Sequence, residues 1–148
     1  MKRIHILLVA LLAMTMSCGT LQKITQNYSF PLETTSWQVT SLNGKRMHIT
    51  NEEERYTLNF NLDDALNARG ECNIIFGSYI QSRHEKLEIT PKGSTRTACP
   101  DMDVEAEFME TLTQVTSFVV SDDEQELQLL NEQGDVVMKL QRRLVREI

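Results

Sequence analysis

The sequence is poor in the residues that carry most recognisable chemistry. It has three histidines and three cysteines in 148 residues, and no Cys-x-x-Cys or His-x-x-x-His spacing. Chelation from a helix face or a zinc knuckle needs ligands at such spacings, so no metal and no cofactor is expected. His48 and His84 lie 36 residues apart and read as ordinary surface residues. A glycine-rich phosphate loop is missing, and so is Gly-x-Ser-x-Gly. Positive charge is scarce: 15 Lys and Arg stand against 21 Asp and Glu, for a net charge of -6. A nucleic-acid partner is excluded on that ground, and so is electrostatic docking to an anionic bilayer. Internal repeats and low-complexity tracts are absent as well.

Apolar runs are short. Ile6–Met14 (ILLVALLAM) extends for nine residues, well below the roughly 18 needed to span a bilayer but within the range of a signal-peptide core. Lys2 and Arg3 precede it, and Ser17 stands directly before Cys18. Residues 1–17 therefore read as a signal peptide, and Cys18 as the lipidated first residue of the mature chain in a loose lipobox. Thr15 and Met16 depart from the usual pattern. Several acyl chains on one cysteine give stable attachment, where a single chain is marginal. Loss of Lys2 and Arg3 with the leader takes the remaining chain to about -8. The expected address is the bacterial cell envelope, lipid-anchored and facing the periplasm from the outer membrane. The polar stretch 19–35 reads as a tether, spanning about 20–25 Å as a coil.

The remainder is long enough for one domain that buries roughly two thirds of its unfolded surface. Its main signal is alternation with period two. Trp37–Leu42 runs into Asn43-Gly44, a strong hairpin signal because both positions of a type I′ turn need φ > 0. Tyr56–Leu62, Ala65–Cys72, Ser78–Ser82, Lys86–Ile89, Ser117–Ser121, Glu126–Leu130 and Val136–Arg142 read as further strands. Gly70 marks a bulge or a close approach, and Asn131–Gly134 a last hairpin loop. After Pro100 the period changes. Phe108, Leu112 and Val115 form a helical stripe, with Glu105 one turn before it and Asp101 placed to cap. The fold class is mainly β: a strongly curved antiparallel sheet or partly open barrel of about eight strands with one α-helix. Trp37 is expected in its core.

With Cys18 assigned to lipid, Cys72 and Cys99 remain as an even pair, which an oxidising compartment would favour joining. Two buried thiols too far apart to meet are the alternative. A catalytic Cys72, with Asn73 and His84 as partners, is a third reading; it needs a thiolate beside a positioned base, and nothing in the spacing enforces one. Arg96 reads as a cation that fixes its loop through a carboxylate or faces a partner, and Asn73 as bonded to the backbone of its own turn. Acidic pairs such as Asp122-Asp123 suit a solvated turn better than glycoside hydrolysis.

Gly70-Glu71-Cys72-Asn73, Phe76-Gly77-Ser78-Tyr79, Leu87-Glu88-Ile89 and Thr95-Arg96-Thr97-Ala98-Cys99 before a helix together resemble the META/HslJ-like domain. With Trp37 and Asn43-Gly44 upstream and the Leu127–Leu140 hairpin downstream, the resemblance spans about 36–142, inside a domain drawn at 36–148. Ala98 stands where many members carry Met. The resemblance implies a compact β-rich fold with one helix and an association with envelope and heat-stress responses. It supplies no catalytic residues. The expected function is a non-enzymatic binding or interaction module, reaching the membrane through its lipid and engaging an envelope protein or a small molecule. A carrier of a small apolar ligand in a barrel cavity is the second reading, and an enzyme using Cys72 the third.

Overall fold

Side chains alternate along each strand because successive Cβ atoms point to opposite faces, and in this chain the inward positions are apolar. The structure is a computed structural model and describes residues 30–49 and 54–144. The signal-peptide and Cys18 readings lie outside these residues. Nine strands and one helix occur among the described residues: β1 (Thr35–Leu42), β2 (Lys45–Arg46), β3 (Thr57–Phe60), β4 (Ala65–Arg69), β5 (Ile74–Ser82), β6 (Lys86–Ser94), α1 (Met102–Thr113), β7 (Ser117–Val120), β8 (Glu126–Leu130) and β9 (Val136–Arg142). All pairings are antiparallel, and the strands follow one another from β3 to β9. β1 then pairs with both β3 and β9, which closes the sheet into a ring; β2 is a short arm folded back on the end of β1. Closure removes the exposed sheet edges that invite aggregation.

The ring has one thin seam. β6 and β7 share a single ladder pair, Lys86 with Ser117, backed by bonds from the Leu87 amide to Thr116 and from the Phe118 amide to Glu85. The α1 segment lies between these two strands in sequence and packs against β6. Its Phe108 and Leu112 are fully buried, and the Phe108 ring meets Tyr56 edge-on with centroids 5.6 Å apart. Among the described residues no helix is long and apolar enough to cross a membrane.

The interior is filled. Trp37, Phe60, Phe108 and Phe118 are each at most 1% exposed, and Leu32, Leu58, Leu66, Ile75, Leu87 and Leu127 pack between them. Trp37 is also tied at its polar end: its indole donates to Thr35 Oγ1 at 2.8 Å, and the Thr35 hydroxyl donates to the Leu32 carbonyl. The Arg142 guanidinium sits over the rings of Phe30 and Trp37, 5.7 and 5.9 Å from their centroids.

Several element bounds differ from the sequence reading. The fold takes in Phe30–Thr35, which composition alone assigns to a tether, because Leu32 is a core residue and Gln81 bonds the backbone of Phe30 and Leu32. β4 stops at Arg69 rather than reaching Cys72, and β5 starts at Ile74 rather than Ser78. β6 continues through Pro91 to Ser94. That proline faces Gly77 across a bulge, where a Cβ on residue 77 would lie 2.4 Å from the Thr90 carbonyl oxygen. Only glycine allows the approach, and among the described residues no strand pairs with the far side of β6 there to miss the proline N–H. Leu62 is exposed, although it shares the parity of the buried Leu58 and Phe60. β3 ends at Phe60, and Leu62 opens the turn in which Asp63 and Asp64 hold positive φ.

Candidate functional site

Around α1 the loops before β5 and after β6 converge. Glu105 faces inward from the first turns of the helix and is 3% exposed. Its Oε2 accepts the backbone N–H groups of Cys72 and Asn73, each at 3.2 Å, and its Oε1 accepts the Asn73 amide nitrogen at 2.6 Å. Asn73, itself buried, extends the network. Its Oδ1 accepts the Thr97 backbone N–H at 2.7 Å and the Thr95 hydroxyl at 2.9 Å, while its Nδ2 also donates to the Thr97 carbonyl at 3.0 Å. One carboxylate and one amide thus join three chain segments. A buried carboxylate is tolerable because each bond to it is charge-assisted.

Space for that carboxylate depends on Gly70. A Cβ there would lie 2.6 Å from Glu105 Cγ and Oε2, so any side chain would expel the glutamate. The close approach expected at Gly70 is to a helix, not to another strand. Beside it the Cys72 and Cys99 sulfurs form a disulfide, with Cα atoms 6.2 Å apart. The same segments are therefore tied covalently and by hydrogen bonds. Cys72 Sγ, Cys99 Sγ and a Glu105 oxygen lie within 4.8 Å of one another, and Met102 Sδ is 3.4 Å from Cys99 Sγ. Soft donor atoms and a carboxylate thus gather at one point.

Tyr56 forms the far wall. It holds a φ of 50°, a strained backbone for a bulky residue. Its hydroxyl is buried without a hydrogen-bond partner among the described residues. Burial first, and then the nearby Glu71 carboxylate, push this phenol well above its ordinary range. Glu71 is held in turn by Arg55.

The structure corrects three site expectations. The Asn73 carbonyl accepts the Gly70 N–H of its own turn, but its side-chain amide does not bond that turn's backbone and reaches across to Thr95, Thr97 and Glu105. Of the two readings of Arg96, the carboxylate pair is not formed among the described residues; its side chain is exposed. Its loop is fixed by Asn73 and the disulfide instead. Asp101 makes no side-chain cap bond to α1. Glu105, Tyr56, Thr95 and Met102 are absent from the sequence-based site. For Glu105 a signal exists: it falls three residues before Phe108 on the apolar stripe, where an acid must be buried.

Residues 30–143 match the META domain. The chain belongs to the META domain family. Its ring is also similar to solved structures. An NMR structure of a protein from Burkholderia xenovorans is 24% identical with a TM-score of 0.58, covering 76% of this chain and 83% of that one. A crystal structure of a DUF4847 family protein from Bacteroides vulgatus is 13% identical with a TM-score of 0.52, covering 78% and 95%. At these identities the likeness concerns the fold alone. No curated protein matches the chain. In this META domain Cys72 is bridged to Cys99, and the large core side chains pack against one another inside the ring. A groove of about 1490 Å³ lies on the outer wall, across β1, β3, β4 and β9. Gln38, Asn59, Asn67 and Gln141 contribute amides to it, and Arg69 and Arg143 cations.

Proposed function

We propose that this chain is a lipid-anchored, non-catalytic interaction module of the bacterial cell envelope, held by Cys18 and engaging a protein partner through the outer groove. The observation that carries the reading is how the reactive groups are spent. Cys72 is committed to a bridge, and Glu105 accepts three hydrogen bonds that hold loops together. Catalysis would need such groups to be free and convergent on a substrate. The groove, by contrast, sets amides and the Arg69 and Arg143 guanidinium groups among apolar side chains such as Met47, Ile49 and Ile74, the mixture of polar and apolar groups found at protein–protein interfaces. The envelope stress role implied by the family resemblance would make the partner a component of that response.

Labelled palmitate and membrane fractionation test the anchor. The parent chain is expected to take up label and sediment with membranes, and Cys18→Ser to do neither. A Cys18→Ser chain that stays equally membrane-bound overturns the anchor. A photo-crosslinking residue at Asn67 or Gln141 should trap one dominant protein in intact cells. Capture that is no greater there than at Glu132, in the loop between β8 and β9, counts against the groove.

A further inference from the structure

The disulfide lies among sulfur and carboxylate groups that would suit a soft cation once the bond is opened. Three sulfurs gather here: Cys72 and Cys99 in the bridge, and Met102 with its thioether 3.4 Å from Cys99 Sγ. Cys99 and Met102 belong to one short turn, Cys99-Pro-Asp-Met102, so their proximity is local. Cys72 is delivered by a different loop, pinned by Glu105 through its own backbone N–H. Hydrogen bonds donated by the Thr95 hydroxyl and the Thr97 backbone N–H to Asn73 Oδ1 hold the two loops together independently of the bridge. The donors should therefore stay close after reduction.

Charge points the same way. Glu105 is a buried carboxylate that no Lys or Arg pairs with among the described residues. Two thiolates beside it would form an uncompensated negative cluster, which a bound cation relieves. The carboxylate oxygens are already occupied by N–H donors, so the ligands on offer are sulfurs. Thiolate and thioether sets select copper(I) among common ions, whereas zinc takes four ligands with tetrahedral geometry. A metal–sulfur distance of about 2.3 Å puts the sulfurs of a three-coordinate site about 4 Å apart, close to the present spacing of Met102 and Cys99.

We propose that the reduced chain binds one copper(I) ion through the Cys72 and Cys99 thiolates and the Met102 thioether, with Glu105 supplying negative charge and positioning Cys72. Metal and bridge exclude one another. A dithiol reductant gives two electrons and two protons to the disulfide and is itself oxidised to a disulfide. Copper(I) then displaces the two thiol protons to solvent and keeps its oxidation state. The inference is independent of the partner reading above, since it needs neither the anchor nor a protein partner.

The test uses the chain reduced by a water-soluble phosphine, which becomes the phosphine oxide with water as the oxygen source, and then freed of it. Under anaerobic conditions, with ascorbate present, the reduced chain should withdraw one equivalent of copper(I) from its bicinchoninate complex. The oxidised chain and a Cys72→Ser/Cys99→Ser chain should withdraw none. Met102→Leu, at an exposed position, should leave the fold intact and weaken the affinity at least tenfold. Fluorescence of Trp37, the single tryptophan, reports folding throughout. Should the reduced chain lose its fold without metal, copper(I) is expected to restore the buried emission. No withdrawal by the reduced chain overturns the proposal. So does undiminished affinity in Met102→Leu, binding only to a chain with exposed Trp37, or exclusion of copper by equimolar zinc(II).

Discussion

Glu105 and Gly70 form a pair in which each explains the other. The glutamate fills the space a Cβ at residue 70 would need, and its three accepted bonds make it expensive to move. Gly70→Ala should destabilise by about 3 kcal/mol, because it ejects the carboxylate and leaves its buried donors unmet. Glu105→Ala should cost a similar amount for the same donors. The double variant should cost well below the sum of the two, since residue 70 no longer collides with anything. Denaturant unfolding of the four chains measures this; additive losses would show that the two residues act separately. The glycine was legible in the sequence as a position of close approach, but its partner was not. A period of 3.6 shows that residue 105 lies on the apolar stripe, yet it does not say which loop will bring amides to meet it. Asn73 poses the same difficulty, since its partners at Thr95 and Thr97 follow only from where β5 and β6 begin and end.

At the scale of elements, the strands with strong alternation and marked turns match their expected positions closely. The Asn43-Gly44 hairpin has both residues at positive φ, as a type I′ turn requires. Asn131 accepts two amides of the loop that ends at Asp135, which fixes the β8–β9 hairpin. Elements were misread where a residue is normally a breaker. Pro91 conceals the second half of β6, and Gly77 conceals the first half of β5; the two sit opposite one another, and each makes the other possible. The seam between β6 and β7 could not be seen at all, because pairing between distant strands leaves no local trace. It has a measurable consequence. In native-state hydrogen exchange the seam amides of Leu87 and Phe118 should exchange at least tenfold faster than the ladder amides joining β1 to β9. Equal protection on both sides of the ring would mean that α1 secures the seam as firmly as a full ladder.

Over the whole molecule the fold class follows from composition and period, and the closure of the ring does not. Stability at high pH is also a property of the whole, governed by its buried phenols. Tyr56 and Tyr79 both hold their protons more tightly in the folded chain, Tyr56 more strongly; burial comes first among the causes for each, followed by Glu71 for Tyr56 and Glu33 for Tyr79. The sign follows from linkage. Below the unfolded value of 10.0 both states are protonated and nothing is lost. Above it the unfolded chain releases protons that the folded chain retains, so stability falls as pH rises. Tyr56→Phe should change stability at pH 7 by less than about 1 kcal/mol, because the hydroxyl it removes has no partner among the described residues. Between pH 10 and 11 it should flatten the decline by up to about 1.4 kcal/mol per pH unit. Urea unfolding across pH 8–11 would show it; an unchanged slope would place the alkaline sensitivity elsewhere.

The pairing of β1 with β9 sets an order of events for the nascent chain. Thr35 leaves the ribosome long before Arg142, and until Arg142 follows, one side of the first strand has no mate along most of its length. The hairpins from β3 to β6, and that of β7 with β8, can assemble as they emerge, because each is local in sequence. The cylinder itself cannot be finished on a partly made polypeptide. A chain cut short before Val136 would keep most of its hairpins and still present two raw borders, an open sheet ready to join another of its kind. Premature termination should therefore yield assemblies rather than a smaller domain, and it is β9 that lets the cylinder close.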